Sequence, residues 1–197
     1  MKRTRWIALL VVLAAGDLSA QARQLTVGKD AASLDVQREK HSLQSLLKLA
    51  ENLVVSTVDA MPADKFGFTP TDGEFKGVRT FGQMVKHLSA TNDILAAAAL
   101  GEEPPRDAAD EVGPEAVRTK AEILNYLKES FVHLSKAVEA IGAANVPVNT
   151  SPISPLKKSE VTRSALIVES LFHAADHYGQ LVEYLRMNGV VPPASRP

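Results

Sequence analysis

Residues 162–188 read TRSALIVESLFHAADHYGQLVEYLRMN, and this proline-free stretch predicts the last helix of the chain. Side chains of the kind that pack in a helix-bundle core recur along it every three or four positions, which is the period of one helix face. Gly189 can adopt the left-handed conformation that ends a helix, and Pro192 and Pro193 then prevent its continuation. We therefore predict one helix over these residues, with Thr162 at its start and Asn188 at its end.

Three further blocks have the same helical period, and none shows the strict alternation of a half-buried strand. The second block opens at Thr80, which forms a capping-box spacing with Gln83. Pro114 suits the first turn of the third block, where its missing N–H is tolerated. The predicted helices cover about Val36–Ala60, Thr80–Leu100 and Gly113–Gly142. The sequence thus predicts an all-α protein, a four-helix bundle.

The connections between these helices are long. Residues 61–79, 101–113 and 143–161 exceed the two to eight residues that are usual in an up-and-down bundle. At least one long crossover is expected.

Composition excludes several classes of function. The 197 residues carry 22 Lys and Arg against 23 Asp and Glu, so nothing suggests a nucleic-acid-binding surface. Cysteine is absent, which excludes disulfides, thiolate metal sites and a cysteine nucleophile. Any metal must therefore be held by nitrogen and oxygen atoms.

The N-terminus has the pattern of a secretory signal. Basic residues precede an apolar stretch over 6–15, and residues 20–22 read AQA, a small-residue cleavage pattern. The apolar stretch is shorter than the roughly 20 residues that cross a bilayer as a helix, although an uncleaved anchor is the alternative. We expect an exported protein, periplasmic or secreted, without a membrane segment after cleavage. The expected organisation is a signal peptide over 1–22, a loose leader over 23–35 and a bundle domain over 36–197.

Two histidines in the quoted stretch are the first candidates for chemistry. His173 and His177 are four residues apart, so both imidazoles lie on one helix face, at a spacing typical of metal ligands. They share that face with Leu166 and Leu181 and interrupt an otherwise apolar seam. Buried imidazoles need polar partners, and a divalent cation would supply one to both. The alternative is a pair of core histidines satisfied by other groups.

A third candidate ligand lies on the second helix. His87 has the helical phase of Thr91 and Ile94, so it also points inward. Three histidines from two helices would leave open positions on a metal, as in a reactive site. A lone core histidine is the alternative. His133 and His41 are expected near the surface.

Several polar residues could assist such a site. Gln180 and Tyr184 share the face of His177 and could orient an imidazole or bind a water ligand, or they could simply satisfy each other. Glu51 could enter the core as a fourth ligand or general base, or lie at the solvent edge. Asp176 is expected to be an exposed charge.

The chain resembles the DinB-like (DinB/YfiT-type) metal-binding four-helix bundles over about Leu43 to Pro197. The resemblance rests on RTFGQMVKHLSATN, HAADHYGQL and the terminal YLRMNGVVPPASRP. It implies an up-down-down-up topology and a divalent ion, zinc-like or nickel-like, held by His87, His173 and His177. Some relatives are thiol-dependent transferases or related metal-dependent enzymes, and many have no established activity.

Two functions follow as alternatives. The first is an exported metal-dependent transferase or hydrolase that activates water or a thiol for an unidentified small-molecule substrate. The second is a non-catalytic bundle that binds a metal or small ligand. Either could be a homodimer, and no catalytic residue is assigned beyond the metal ligands.

Overall fold

The computed structural model describes residues 4–70, 76–108, 110–142, 153–156 and 161–197, with side chains from residue 31 onward. This part of the chain contains four α-helices and no β-strand, which confirms the all-α class and the helical bundle. The chain divides into two compact units, Met1–Glu39 and Lys40–Pro197. Among the described residues, no helix combines the length and apolar character needed to cross a membrane.

The first helix, α1, covers Thr4–Ala60. No proline precedes Pro62, so nothing in this stretch obliges the helix to stop. The prediction that the first helix begins near Val36 is therefore wrong, because residues 23–35 are also helical. Its end at Ala60 is confirmed. The signal peptide and its cleavage site stay predictions.

The second helix, α2, covers Phe81–Leu100 and begins at the predicted capping box. The Thr80 hydroxyl accepts from the Gln83 backbone N–H at 3.2 Å, and the Gln83 side chain accepts from the Thr80 backbone N–H at 2.9 Å. These bonds satisfy two backbone donors at the helix end and fix where the helix begins. That end lies two turns before His87.

The third helix, α3, covers Lys120–Glu139 and begins later than predicted. Pro114 lies outside the helix, in a turn whose Val117 N–H donates to the Pro114 carbonyl at 3.2 Å. A second capping box, formed by Thr119 and Glu122, starts the helix instead. The capping box satisfies two backbone donors, whereas a proline in the first turn is merely tolerated. The helix therefore begins at the capping box.

The fourth helix, α4, covers Arg163–Met187, and Thr162 and Asn188 cap it as predicted. The Thr162 hydroxyl accepts from the Ala165 backbone N–H at 3.2 Å. Gly189 has the left-handed φ of 70° that the sequence predicted for the residue beyond the helix. In the described part of the chain, short 3₁₀-helices lie at Ala63–Lys65 and Pro193–Ser195.

Apolar stripes of α1, α3 and α4 and most of α2 form the core of the second unit. The stripes predicted for α1 and α3 are buried: Leu43, Leu47, Val54 and Val58, and Ile123, Leu127, Leu134, Val138 and Ile141. One polar network crosses this core, because the Ser170 hydroxyl donates to the Asn92 side chain at 2.7 Å and the Asn92 amide donates to Ser130 at 3.1 Å. The network joins α2, α3 and α4 one turn from the histidines of α4.

Candidate metal centre

Three imidazoles meet between α2 and α4. The Nε2 atom of His173 lies 3.2 Å from Nε2 of His87 and 2.9 Å from Nε2 of His177. One ligand atom from each of the three residues lies within 4.8 Å of the other two. The three rings are nearly perpendicular to one another, with interplanar angles of 74° to 88°. The structure thus brings together the three histidines that the sequence singled out.

Helix packing positions these rings. His87 is 6% exposed on α2, and His177 is 7% exposed on α4. His173 lies one turn before His177 and is half-buried. The predicted inward phase of all three residues is therefore confirmed, and the half-buried ring marks the side on which the cluster approaches the surface.

A backbone carbonyl orients His87. Its Nδ1 lies 2.9 Å from the carbonyl oxygen of Glu111, in the connection between α2 and α3. A carbonyl can only accept, so Nδ1 carries the hydrogen and a neutral His87 has its lone pair on Nε2. The Glu111 carboxylate lies 3.7 Å from the same Nδ1. Glu111 was not a candidate from the sequence, because its position depends on a loop conformation in which its φ is 61°.

A side-chain pair orients His177. Its Nδ1 donates to Oε1 of Gln180 at 3.0 Å, while the Gln180 amide nitrogen donates to Asp176 at 3.1 Å. The second bond fixes which end of the amide faces the imidazole, so the lone pair of His177 also lies on Nε2. Gln180 therefore has the orienting role considered from the sequence. Asp176 is exposed as expected, although it also holds Gln180.

This donor set fits a divalent cation. Metal–nitrogen bonds of about 2.0–2.1 Å at angles of about 90° to 109° place neighbouring nitrogen atoms about 2.8–3.4 Å apart. The two separations at His173 lie within that range. Without a cation, Nε2 of His173 carries at most one hydrogen. That hydrogen can bond to the Nε2 lone pair of His87 or to that of His177, but not to both. Nδ1 of His173 is buried and has no hydrogen-bond partner among the described residues.

The surroundings keep the imidazoles neutral, which is the form that binds metal. Burial lowers the pKa of His87 and His177, and it lowers the pKa of His173 to about 3. The positive charge of Arg79 acts in the same direction on all three. Arg79 was not a candidate from the sequence, because only the fold brings it near the histidines.

Two other candidates have different contacts. The hydroxyl of Tyr184 donates to the Arg79 carbonyl at 3.1 Å, so it fixes the segment before α2 and does not bond to an imidazole. Glu51 forms a 2.9 Å ion pair with Lys48 and does not belong to the histidine cluster. Glu51 therefore has the solvent-edge position that was the alternative to a fourth ligand.

The remaining histidines lie outside the cluster. His41 is exposed, as predicted. His133 is half-buried, and its Nδ1 lies 3.0 Å from Oδ1 of the buried Asp93, so the expectation of a simple surface residue is only partly met. The hydrogen bond to Asp93 raises the pKa of His133.

Comparison with known proteins identifies the family of the chain. No curated protein matches the chain. A family model described as the DinB superfamily matches residues 46–181, which is more than half of the sequence. All three clustered histidines fall within the matched range. The chain therefore belongs to the DinB superfamily.

Proposed function

We propose that this protein binds a divalent metal ion through Nε2 of His87, His173 and His177 and uses it as a metal-dependent transferase or hydrolase. The observation that carries the proposal is the convergence of three Nε2 atoms whose lone-pair direction is set, at two of the rings, by outer hydrogen bonds. Imidazole donors suit zinc and nickel, which are the metals we propose.

The chain's own residues would fix the geometry of the site. Glu111 and Gln180 hold two of the imidazoles, and the buried surroundings keep the rings neutral. When bound, the ion would supply Lewis acidity to a water or thiol. Three protein ligands leave at least one coordination position for such a molecule.

The alternative function is a bundle that binds a metal or small ligand without turnover. A closed, dry cluster would favour this alternative. The half-buried His173 lines an open cavity of about 270 Å³, and this observation favours the enzyme. Export and a homodimer stay predictions from the sequence.

We also infer the up-down-down-up topology from the order of side-chain contacts. Gln44 of α1 contacts Ser135 of α3 while Lys120, at the other end of α3, contacts Asp59. These two contacts support opposite directions for α1 and α3. The contacts between α2 and α3, in contrast, support the same direction for these two helices. The contacts between α2 and α4 support opposite directions.

Metal analysis of the full-length protein tests the proposal. Wild type should retain about one zinc or nickel ion per chain, and His87→Ala, His173→Ala and His177→Ala should each lose it. His41→Ala is the matched control, since this imidazole is exposed and lies outside the cluster. Metal-loaded wild type is then screened for ester hydrolysis and thiol transfer. Equal metal content in all five proteins would refute the site, and metal binding without turnover would favour the non-catalytic bundle.

A further inference from the structure

The cavity beside the histidine cluster is built from α2, α4 and the connections between helices. It is open to the surface, has a volume of about 270 Å³, and has His173 in its wall. Leu95 and Phe172 contribute apolar surface, and Phe172 is 76% exposed. Because ligand pockets for drug-sized molecules start at about 300 Å³, this cavity suits a small molecule.

Besides Nδ1 of His173, the hydroxyl of a second cavity-wall residue lacks a hydrogen-bond partner among the described residues. Thr91 is only 4% exposed, and its Oγ1 has no hydrogen-bond partner among the described residues. Thr91 lies one turn after His87 on α2 and lines the cavity. A buried hydroxyl without a partner is unfavourable, so a polar group of a bound molecule would satisfy it.

The charged side chains that the described residues contribute to the cavity wall are all acidic. Glu111, Glu169 and Asp176 line it, and no lysine or arginine does so within the described part of the chain. Glu169 lies one turn before His173 and is half-buried. Its carboxylate accepts from the Ser154 hydroxyl at 2.7 Å, which leaves further acceptor capacity.

We propose that this cavity binds the substrate and that the substrate is a small amine with an apolar body. Its ammonium group would donate to Glu169, and its apolar part would pack against Leu95 and Phe172. This inference rests on the proposed function, because it takes the bound molecule to be a substrate of the metal site. A carboxylate compound of the same size would meet three acidic side chains and is disfavoured.

Isothermal titration of the full chain tests this preference with three probes of similar shape: benzylamine, benzyl alcohol and benzoate. Benzylamine should bind about tenfold more tightly than benzoate, because a charged hydrogen bond distinguishes the two. Glu169→Gln should remove most of this preference and leave the affinity for benzyl alcohol unchanged. Glu183→Gln is the matched control on α4, since Glu183 pairs with Arg186 and does not line the cavity.

Each titration is carried out with zinc-loaded and with metal-free protein, because amines and carboxylates can also bind zinc directly. A preference for benzylamine in both forms, lost in Glu169→Gln, supports the inference. Benzoate binding as tightly as benzylamine in the metal-free form, or an unchanged preference in Glu169→Gln, overturns it. Zinc content is measured in the same samples. Protein that binds zinc without an amine preference contradicts this inference alone, and protein that prefers the amine but binds no zinc contradicts the proposed function alone.

Discussion

Nδ1 of His87 and the backbone carbonyl of Glu111 form a hydrogen bond of 2.9 Å that ties the histidine cluster to the connection between α2 and α3. Glu111 has a φ of 61°, which is uncommon for a residue with a side chain. Such a conformation persists only when neighbouring contacts hold it. The loop that orients His87 therefore depends on residues that lie outside the histidine cluster.

Gly113 is the first of these residues to test. It has a φ of 76°, and a Cβ added there would lie 3.1 Å from Cε1 of Tyr126 and 3.2 Å from the Lys86 carbonyl oxygen. Gly113→Ala should cost about 1–3 kcal/mol of unfolding free energy, from the left-handed backbone and the close contacts. It should also weaken zinc binding by displacing Glu111. Urea unfolding and zinc titration measure the two effects.

Gly67→Ala is the matched control for that substitution. Gly67 is not in the left-handed region, and a Cβ there would meet no atom within 4 Å among the described residues. Its unfolding midpoint and zinc affinity should remain close to those of wild type. If the Gly113→Ala protein were as stable as the Gly67→Ala protein, the left-handed backbone and close contacts of Gly113 would not hold the loop.

His177→Ala separates metal binding from folding. The bundle has its own buried stripes, so the variant should remain helical without metal. At a hundredfold excess of zinc over the dissociation constant, wild type should gain about 2.7 kcal/mol, and the variant should gain much less. Thermal melts with and without zinc or nickel measure this difference. An equal gain in both proteins would show that His177 is not a ligand.

Local sequence signals predicted most of the bundle and all three clustered histidines. The Thr80–Gln83 capping box and Gly189 are local features whose hydrogen bonds or backbone conformation set helix ends. The inward phase of His87 and of the His173–His177 pair follows from helical periodicity alone.

What the sequence did not reveal depends on contacts between distant residues. Glu111 reaches His87 only because the loop folds back across α2, and nothing in the neighbouring sequence specifies that path. Asp93 is 40 residues from His133, yet the pairing of α2 with α3 places them in contact. The start of α3 was missed for a different reason, since two start signals compete and the second capping box satisfies more backbone donors.

Gln180 should control metal affinity without contacting the metal. Gln180→Leu removes the acceptor for Nδ1 of His177, so the ring loses the bond that directs its lone pair. We expect zinc affinity to fall about 10- to 100-fold, as is usual when such an outer partner is removed. Competition with a chromogenic chelator measures the affinity, and circular dichroism verifies the fold.

Gln180→Glu is the rescue variant, because a carboxylate still accepts from Nδ1 of His177. Its zinc affinity should recover to near that of wild type. If Gln180→Leu binds zinc as tightly as wild type, the hydrogen bond between Gln180 and His177 does not orient a ligand.

The pH dependence of the metal-free protein should reflect the three clustered histidines, because burial lowers the pKa of each, and His173 is the one changed here. Burial lowers its pKa to about 3, whereas an imidazole in the unfolded chain titrates near 6.5. Above pH 6.5 the ring is neutral in both states and has no effect on stability. Between pH 6.5 and 3 the unfolded chain binds a proton that the native state does not, so stability falls by up to about 1.4 kcal/mol per pH unit. Urea unfolding at intervals from pH 7.5 to 5 should show this loss.

His173→Gln removes the titrating group, and its stability should fall less steeply than that of wild type over the same range. The comparison is needed because His133 acts in the opposite sense: its hydrogen bond to Asp93 raises its pKa, so it adds stability as the pH falls. Both proteins retain His133, so its effect cancels, and the difference between their slopes reports on the loss of His173 together with its contacts to His87 and His177. Exposed His41, changed to Gln, provides the control for losing any imidazole. Parallel pH profiles for wild type and His173→Gln would contradict a half-buried, neutral His173 in the metal-free cluster.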